Sequence, residues 1–308
     1  MITARPVTVT TSMITASSVA SPDTGETAWS GATTYALGAT MSYTIDGYPH
    51  KFESKQAGNL NHLPDAYPDD ATNTWWLDLG YTNRYAAFQP NRNTQTVTAS
   101  PYTVTINPGS RVGAVGVGTI DADTVTIDVY DGATLVHTET QSLLTRDVYD
   151  WYTWTFTPFD QVNGALLDNL PLGSTNTINL TFTRSVGSVG VGNIILGLPY
   201  SIGNALYGTN IKRLNFSTFE RDEFGDVKIT LRRNIPKVSY QLIIDKARLN
   251  GIKRMIDELN GVVTMWAGIV ESEHGYFDSV FLIGLYRDFS YSLDYPDYAK
   301  ATIEIEAI

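Results

Sequence analysis

Apolar and polar residues alternate along the middle of the chain, as they do in half-buried β-strands. The runs Tyr102–Asn107, Val125–Tyr130 and Thr177–Thr183 place apolar residues at every second position, between Thr, Asp and Asn. This period of two puts successive side chains on opposite faces of a strand. Asp131-Gly132 follows the second run and predicts a tight hairpin turn. We therefore predict a β-sandwich with a jelly-roll-like strand order over residues 81–203.

The sandwich region also contains three less regular segments. Trp151–Phe156 shows strand-like alternation, and we predict a strand there. The Gly-rich segments Val112–Ile120 and Val186–Ile194 resemble one another. A phosphate-binding glycine loop needs a helix directly after the glycines, whereas strand-like sequence follows both segments. We interpret them as two buried strands whose glycines admit a close neighbour, and we expect them in equivalent places in the two sheets.

Strand-like runs surround a single amphipathic helix in residues 204–308. Apolar residues recur three and four positions apart over residues 245–259, which predicts a helix with one apolar face. Asp245 is the predicted N-cap, and Asn260-Gly261 is the predicted end. On the predicted apolar face lie Leu249, Ile252, Ile256 and Leu259. The predicted strands are Asp226–Arg232, Val238–Ile244, Val262–Gly268, Tyr276–Tyr286, Phe289–Leu293 and Thr302–Ile305.

Aromatic residues with few other apolar neighbours mark residues 27–80. Three of the chain's six Trp residues lie between Trp29 and Trp76. An aromatic ring contributes much buried area per residue, which a very small β-unit needs. We predict an aromatic-centred β-module in which Trp29, Tyr43 and Trp75 or Trp76 pack together, because nothing else nearby is apolar enough to form a core. At least one aromatic should stay exposed, because so small a unit cannot cover all of them.

Residues 1–26 are rich in Thr, Ser, Ala and Val and show little periodicity. Val7–Thr10 has a strand-like pattern, whereas Ser17–Glu26 has the composition of a polar linker. We interpret the segment as an N-terminal arm or linker. Two alternatives are open: an extended arm that packs on a neighbour, or a free disordered tail.

The front module resembles the small chitin-binding modules attached to bacterial glycoside hydrolases. The matching residues are Trp29, Tyr35, Gly38, Tyr43, Gly47, Tyr48, Pro64, Pro68 and Trp75 or Trp76. The resemblance implies that exposed aromatics bind carbohydrate, and the candidates are Tyr35, Tyr48, Trp75 and Trp76. In the family, the sugar platform follows the Gly-x-Tyr strand, but here Glu53–Gln56 occupies that place. This departure favours packing and a spacer or docking role over sugar binding.

The C-terminal region resembles the tube-type domain of long-tailed bacterial viruses. The matching segments are Phe224–Val227, Arg232-Arg233, the predicted helix, Met265-Trp266, Gly284–Phe289 and Ala301–Ala307. Tail-tip and baseplate chains also carry a junction similar to Trp75–Phe88. The resemblance implies a tube-like β-sandwich or split barrel with one flanking helix over residues 204–308, whose copies join into rings.

Composition and charge narrow the function classes. The chain has 308 residues, a length that can bury a substantial core. Of these residues, 43% are hydrophobic and 17% are charged. The net charge of −11 opposes binding to nucleic acid and to anionic membranes. The chain has no Cys, so disulfides and thiolate metal sites are excluded. We also expect no membrane span and no signal peptide, because the chain lacks a long apolar run and residues 1–5 lack a leader pattern.

No candidate catalytic or metal site stands out from the sequence. The four His residues are scattered without ligand spacing, and no cofactor or metal is expected. Asp121, Asp123 and Asp128 could supply oxygen atoms to calcium, although a solvated strand face is the simpler interpretation. The acids around the double Trp (Asp65, Asp69, Asp70 and Asp78) form no rigid carboxylate pair of the kind that glycoside hydrolysis needs. We therefore predict that the chain is not an enzyme.

Two functional hypotheses follow from the resemblances. The first is a mostly β structural protein of a bacteriophage tail tip or baseplate, assembled in the bacterial host cytoplasm and located in the virion. It would form a homo-oligomeric ring around the DNA channel, contact other tail proteins and support host-surface attachment. It would bind no specific nucleic-acid sequence, since an acidic wall lets DNA slide past. The alternative is a protein or hydrolase accessory module that binds chitin or another host surface glycan.

Overall fold

The computed structural model describes residues 1–64, 74–221, 223–270, 275–293 and 295–308. The chain is mostly β, which confirms the predicted fold class. It divides into two compact units. Val7–Leu198 form the N-terminal unit, and Met1–Pro6 with Pro199–Ile308 form the C-terminal unit. The division falls inside a single long strand, β17.

The elements follow one another in this order. The first strands are β1 (Ile2–Pro6), β2 (Ile14–Ser17), β3 (Thr34–Tyr35), β4 (Thr40–Ile45), β5 (Tyr48–Ser54), β6 (Asn59–Leu60) and β7 (Trp76–Tyr81). Next come β8 (Thr96–Ala99), β9 (Tyr102–Ile106), β10 (Ala114–Asp121), β11 (Thr124–Asp131), β12 (Thr134–Ser142) and β13 (Leu144–Thr145). Helix α1 (Trp151–Phe156) precedes β14 (Asp160–Gln161), β15 (Gly164–Leu167), β16 (Thr177–Thr183), β17 (Ser188–Ser201) and β18 (Asn204–Ala205). The remainder is β19 (Asn210–Asn215), β20 (Thr218–Arg221), β21 (Val227–Thr230), β22 (Asn234–Asp245), α2 (Leu249–Glu258), β23 (Thr264–Ala267), α3 (Phe277–Val280), β24 (Phe281–Ser292) and β25 (Tyr298–Ala307).

Two sheets of the N-terminal unit share one hydrophobic core. The first has the order β12-β11-β16-β9-β2, and the second places β15, β10, β17 and β8 side by side. Val104 and Ile127 from the first sheet and Val117 and Val191 from the second belong to the same buried cluster. Burial alternates along β9, β11 and β16 as the period of two predicts. The strands predicted at Tyr102, Val125 and Thr177 are therefore confirmed.

The two Gly-rich segments lie in one sheet and not in two, so that expectation was wrong. β10 pairs antiparallel with β17, and Ile120 faces Val191 across the ladder. A Cβ atom built on Gly192 would lie 2.7 Å from the Cβ of Thr119. Glycine is required here because the neighbouring strand approaches too closely for a side chain. The interpretation as buried strands with a close neighbour is confirmed.

Residues 1–26 include two strands that pair within their own chain, so the segment is not a free tail. β1 pairs with β23 in the C-terminal unit, and β2 pairs with β9 in the N-terminal unit. Val19 and Glu26 are buried, although Ser17–Glu26 has the composition of a linker. The Glu26 carboxylate accepts hydrogen bonds from the backbone N–H groups of Asp23 and Asn83. Such long-range partners cannot be inferred from local composition.

One curved run of strands and one helix build the C-terminal unit. The strand order is β1-β23-β24-β25-β22-β18, and β19 also pairs with β22. Three of the predicted helix residues, Ile252, Ile256 and Leu259, are buried against this sheet with Tyr240 and Ile303. The apolar helix face is therefore confirmed.

The predicted helix start at Asp245 was wrong. Helix α2 begins at Leu249, because the Asp245 carboxylate accepts a hydrogen bond from the Ala247 backbone N–H and closes a turn before the helix. The prediction of two separate strands at Tyr276–Tyr286 and Phe289–Leu293 was also wrong. A short helix, α3, comes first, and one continuous strand, β24, follows.

The strand predicted at Trp151–Phe156 is helix α1. The Asp150 carboxylate accepts a hydrogen bond from the Thr153 backbone N–H at 2.7 Å. The Thr153 hydroxyl accepts one from the Asp150 N–H, which completes a capping box. A six-residue alternating pattern does not distinguish a strand from a short helix that carries aromatics on two sides. Here the N-terminal capping box stabilises the helix.

Candidate functional site

The front module, residues 27–80, has an aromatic core with two additional apolar members. Tyr35, Met41, Phe52 and Trp76 are buried together, and Trp29, Tyr43 and Trp75 pack partly buried against them. This confirms that the predicted aromatics pack around one another. The expectation that nothing else nearby could form a core was wrong, because Met41 on β4 and Phe52 on β5 lie opposite each other in the sheet β4-β5-β7.

Two of the four candidate sugar-binding residues lie inside this core. Trp76 is 2% exposed, and its indole N–H donates to the carbonyl oxygen of His62 at 2.8 Å. The ring of Tyr35 meets Trp76 edge to face, with centroids 5.2 Å apart and planes at 73°. The Tyr35 hydroxyl oxygen accepts a hydrogen bond from the Ser30 backbone N–H. These contacts give both rings a packing role.

The other two candidates are half-buried, and each stacks on a different ring. Trp75 stacks on His62 at 3.6 Å, and Tyr48 stacks on Tyr81 at 4.6 Å. The Tyr48 hydroxyl donates to the carbonyl oxygen of Val9. Burial raises the pKa of the Tyr48 hydroxyl. Among the residues described between positions 29 and 81, no aromatic is exposed, but Tyr67 of the same module lies outside them, so the expected exposed ring stays a prediction. Ring-on-ring stacking covers the faces that a core this small leaves open.

A buried charge network ties the module together, and sequence reasoning missed it. The Asp78 carboxylate lies 3.1 Å from Nδ1 of His50 and 3.3 Å from Nη2 of Arg92. Its Oδ1 also accepts a hydrogen bond from the Gly80 backbone N–H at 2.7 Å. Burial alone would raise the pKa of Asp78, but these donors together hold it below its ordinary value. The other acids grouped with Asp78, namely Asp65, Asp69 and Asp70, lie outside the described residues.

The other ionisable candidates have ordinary partners. Asp121 pairs with Arg184, Asp123 accepts hydrogen bonds from Ser185, and Asp128 accepts one from Thr138. Within the described part of the chain, no group of three or more His, Asp or Glu residues could hold a metal ion. Of the four His residues, His50 belongs to the Asp78 network, His62 stacks on Trp75, His137 lies 3.5 Å from Glu139, and His274 is outside the described residues.

Strands β20 and β21 form a two-stranded ribbon with an uncovered apolar face, here named the apolar ribbon. Phe219 faces Ile229 across the ladder, and Arg221 faces Val227. Because side chains alternate, Phe219, Val227 and Ile229 share one face, and all three are exposed. The strand pattern at Val227 was visible in the sequence. The exposure of these side chains could be found only in three dimensions.

The segment Val148–Phe159, here named the aromatic knob, projects from strands β13 and β14. Trp151 is 83% exposed and Tyr152 is 71% exposed. The exposed apolar members are Val148, Tyr149, Trp151, Tyr152, Trp154, Phe156 and Phe159. The sequence assigned this stretch to a strand, so its role as a surface was missed. The dense aromatic run beside Asp150 and Thr153 was the available signal.

The C-terminal unit also contains an open apolar groove of about 590 Å³. Its walls include Leu206, Tyr207, Ile211, Ile269, Tyr276 and Val280. Tyr240 also lines it, and the Tyr240 hydroxyl donates to the Val280 carbonyl oxygen at 2.7 Å. The buried Tyr240 hydroxyl therefore already has an acceptor within the chain.

Comparison with known proteins does not assign the chain to a family. No protein-family model, curated protein or solved structure gives a significant match to the chain. None of the helices in the described residues is long and apolar enough to cross a membrane.

Proposed function

We propose that the chain is a structural component of a bacteriophage tail tip or baseplate and forms part of a ring around the DNA channel. The apolar ribbon is the observation that carries the proposal. A two-stranded ribbon is at best marginally stable alone in water. This one leaves Phe219, Val227 and Ile229 exposed on one face within its own chain. An adjacent copy or tail protein would cover that face, as assembly into a ring requires.

Charge supports the same proposal. The net charge of −11 opposes tight binding to the phosphate backbone. A channel wall must let DNA pass without holding it, and an acidic protein meets that requirement. The proposal includes a location in the virion tail and other tail proteins as partners. It also includes the absence of enzymatic activity.

The alternative, binding of a surface glycan by the front module, has less support from the geometry. Tyr35 and Trp76 contribute to the module core, and their planes are inclined at 73°. An open, coplanar platform is therefore not formed by that pair. Binding of carbohydrate by Tyr48 and Trp75 stays a prediction.

The experiment compares assembly of the full chain with that of two ribbon variants. Analytical ultracentrifugation and negative-stain microscopy of the wild type should show closed rings. Phe219→Ser with Ile229→Ser removes apolar area from the exposed face and should reduce assembly. The matched control replaces the next cross-strand pair, Glu220→Ser with Lys228→Ser, on the opposite face.

Three results would count against the proposal. A wild-type chain that stays monomeric at high concentration and is absent from purified virions would overturn it. Equal assembly of the two ribbon variants would show that the apolar face does not carry the association. Binding of the wild type to chitin or a host glycan, with no ring, would favour the alternative.

A further inference from the structure

Strand β12 is an edge strand, and its outer side has no partner among the described residues. It lies at one end of the sheet β12-β11-β16-β9-β2 and pairs with β11 alone. The Leu143 backbone N–H donates to the Asp123 carbonyl oxygen on the β11 side. Neighbouring residues of a strand direct their N–H and C=O groups to opposite sides. Those groups of Thr138 and Thr140 therefore point away from β11 and are available to a further strand.

Strand β19 is a second edge of this kind. It pairs with β22 alone, in a register that is regular over six residue pairs. The Phe216 backbone N–H donates to the Arg233 carbonyl oxygen on the continuation of the same ladder. The N–H and C=O groups of Ile211 and Arg213 therefore point away from β22. Within the described ranges, no backbone group bonds to β19 on this outer side.

The side chains of β19 make this edge cationic. Lys212 and Arg213 are exposed, and neither forms an ion pair within the part of the chain that the structure describes. Lys212 lies opposite Lys237 on the ladder, and Glu304 already pairs with Lys237. Like charges that face each other across a ladder destabilise it. A strand that brings a carboxylate to Lys212 would therefore bind this edge favourably.

The edge at β12 carries the opposite charge. Glu139 lies in β12, and its carboxylate is 3.5 Å from the Nε2 atom of His137, which is longer than a good hydrogen bond. On β11, Asp128 lies opposite Thr138 and accepts a hydrogen bond from its hydroxyl at 2.7 Å. Neither carboxylate forms an ion pair with a Lys or Arg among the described residues. This edge therefore attracts a cationic strand and repels a second copy of itself.

One antiparallel register of β12 on β19 matches the backbone and the charges together. Hydrogen-bonded pairing requires the outward-pointing residues of the two strands to face each other. Thr138 opposite Arg213 meets this requirement. Glu139 then lies opposite Lys212, one position further along the ladder. Arg213 shares the sheet face of Asp128, which lies opposite Thr138 on the neighbouring strand.

Registers shifted by two residues keep the backbone match and lose the charge match. In one of them His137 lies opposite Lys212, and in the other Gln141 does. Neither residue brings a carboxylate to the Lys212 ammonium group. The register with Glu139 opposite Lys212 is therefore the one that the charges select.

Exposed apolar residues continue the contact beyond the paired segment. The register of β11 and β12 shifts between Val129 and Tyr130, so Val136 is the extra residue of a β-bulge that ends the regular part of β12. Leu135 and Val136 are 49% and 44% exposed. In the selected register they lie beside Phe216, which is 50% exposed and leads from β19 into the apolar ribbon. The pairing would therefore also reduce the apolar surface that each edge leaves in water.

We propose that β12 of one copy joins β19 of a second copy of this chain as an antiparallel strand, with Glu139 opposite Lys212. The added strand makes the sheets of the two copies continuous, which is association by β-augmentation. Every copy carries one β12 and one β19, so the contact is head to tail. A head-to-tail contact generates a ring when its rotation closes and a filament when it does not. The inference rests on the proposed ring function and names the strands that would join its subunits.

Site-directed disulfide formation tests the pairing and its register, because the native chain has no Cys. One chain carries Thr140→Cys and another carries Ile211→Cys, at positions that lie opposite each other in the proposed ladder. Hydrogen-bonded opposite residues have Cα atoms about 5.5 Å apart, a distance that a disulfide can span. After the two chains are mixed and mildly oxidised, a dimer containing one chain of each kind is the expected product.

The matched control mixes the Thr140→Cys chain with a Thr302→Cys chain. Thr302 is also exposed, but its strand, β25, is paired on both sides by β22 and β24. Its edge is therefore closed to a further strand. Cross-linking of the Ile211→Cys chain no faster than that of this control would overturn the proposal.

A doubly substituted chain separates pairing between copies from pairing within one copy. With Thr140→Cys and Ile211→Cys in the same chain, the proposal predicts linked multimers on a non-reducing gel. A disulfide confined to single chains would overturn it. A Thr140→Cys chain that cross-links to another purified tail protein, and not to Ile211→Cys, would assign β12 a different protein partner and would also overturn it.

Charge exchange gives a second, independent readout that introduces no Cys. Glu139→Lys and Lys212→Glu should each weaken self-association on the order of fivefold, because like charges then face each other across the ladder. A chain with both substitutions regains an opposite pair and should recover the association of the wild type. Sedimentation equilibrium measures the association, and circular dichroism checks that each chain is folded. No recovery in the folded double variant would overturn the proposed pairing.

The results separate this inference from the proposed function. Closed rings without a cross-link between β12 and β19 leave the ring function standing and remove the strand pairing. Cross-linked head-to-tail pairs that never close into rings or enter virions keep the pairing and remove the ring function.

Discussion

Nδ1 of His50 lies 3.1 Å from Oδ2 of Asp78, and the Asp78 side chain is 1% exposed. The two residues come from paired strands, β5 and β7, so the contact links neighbouring strands of the front module. Arg92 donates to the same carboxylate from the segment that follows the module. The three donors favour the charged form of the buried Asp78 side chain. The stability of the module therefore depends on pH.

Asp78→Asn should destabilise the N-terminal unit at neutral pH by about 2–3 kcal/mol, since hydrogen bonds to a charged group are lost. The pKa of Asp78 is lowered in the folded chain, so its stabilisation is present above the ordinary value of 3.8 and lost as pH falls through the folded value. Urea melts from pH 7 to pH 3 should therefore show wild type and variant converging at low pH. The exposed Asp131→Asn is the control. A gap that stays constant with pH would show that the charge of Asp78 does not stabilise the fold.

Trp76→Ala should cost about 3–5 kcal/mol, because a buried aromatic leaves a cavity when truncated. Its neighbour on the same strand, Leu77, is exposed, so Leu77→Ala should shift the melt little. Hydrogen exchange of β5 and β7 amides should accelerate in the Trp76 variant. Equal effects of the two substitutions would mean that the strand register is shifted by one residue.

Local patterns predicted the regular parts of the fold and missed the parts that long-range contacts decide. Alternation located β9, β11 and β16, because one face of each strand is buried. The same pattern misassigned Trp151–Phe156, where a cap and not burial selects the conformation. For the candidate surfaces, composition indicated where aromatics gather, but whether they are covered depends on distant residues. Trp76 is covered by the module core, whereas Trp151 is 83% exposed.

Ile256→Ala should cost about 2–5 kcal/mol of stability in the C-terminal unit. Ile256 is buried between helix α2 and the sheet, with Ile252 and Leu259 on the same face. Lys253→Ala, one exposed position on the same helix, is the control and should change stability little. Thermal melts of the full chain measure both. A melting temperature that barely moves in Ile256→Ala would show that this face of the helix does not pack on the sheet.

Gly192→Ala tests the close approach of β10 and β17. The new Cβ would lie 2.7 Å from the Cβ of Thr119, so we expect a loss of about 1–3 kcal/mol from overpacking. Thr119 has a positive φ of 53°, which glycine adopts without strain, so Thr119→Gly removes the opposing Cβ without disturbing the backbone. The double variant should therefore recover much of the loss, and a double-mutant cycle from urea melts should give a non-zero coupling energy. Strictly additive effects would mean that the two strands separate enough in solution to admit a methyl group, and that the glycine is not required by close packing.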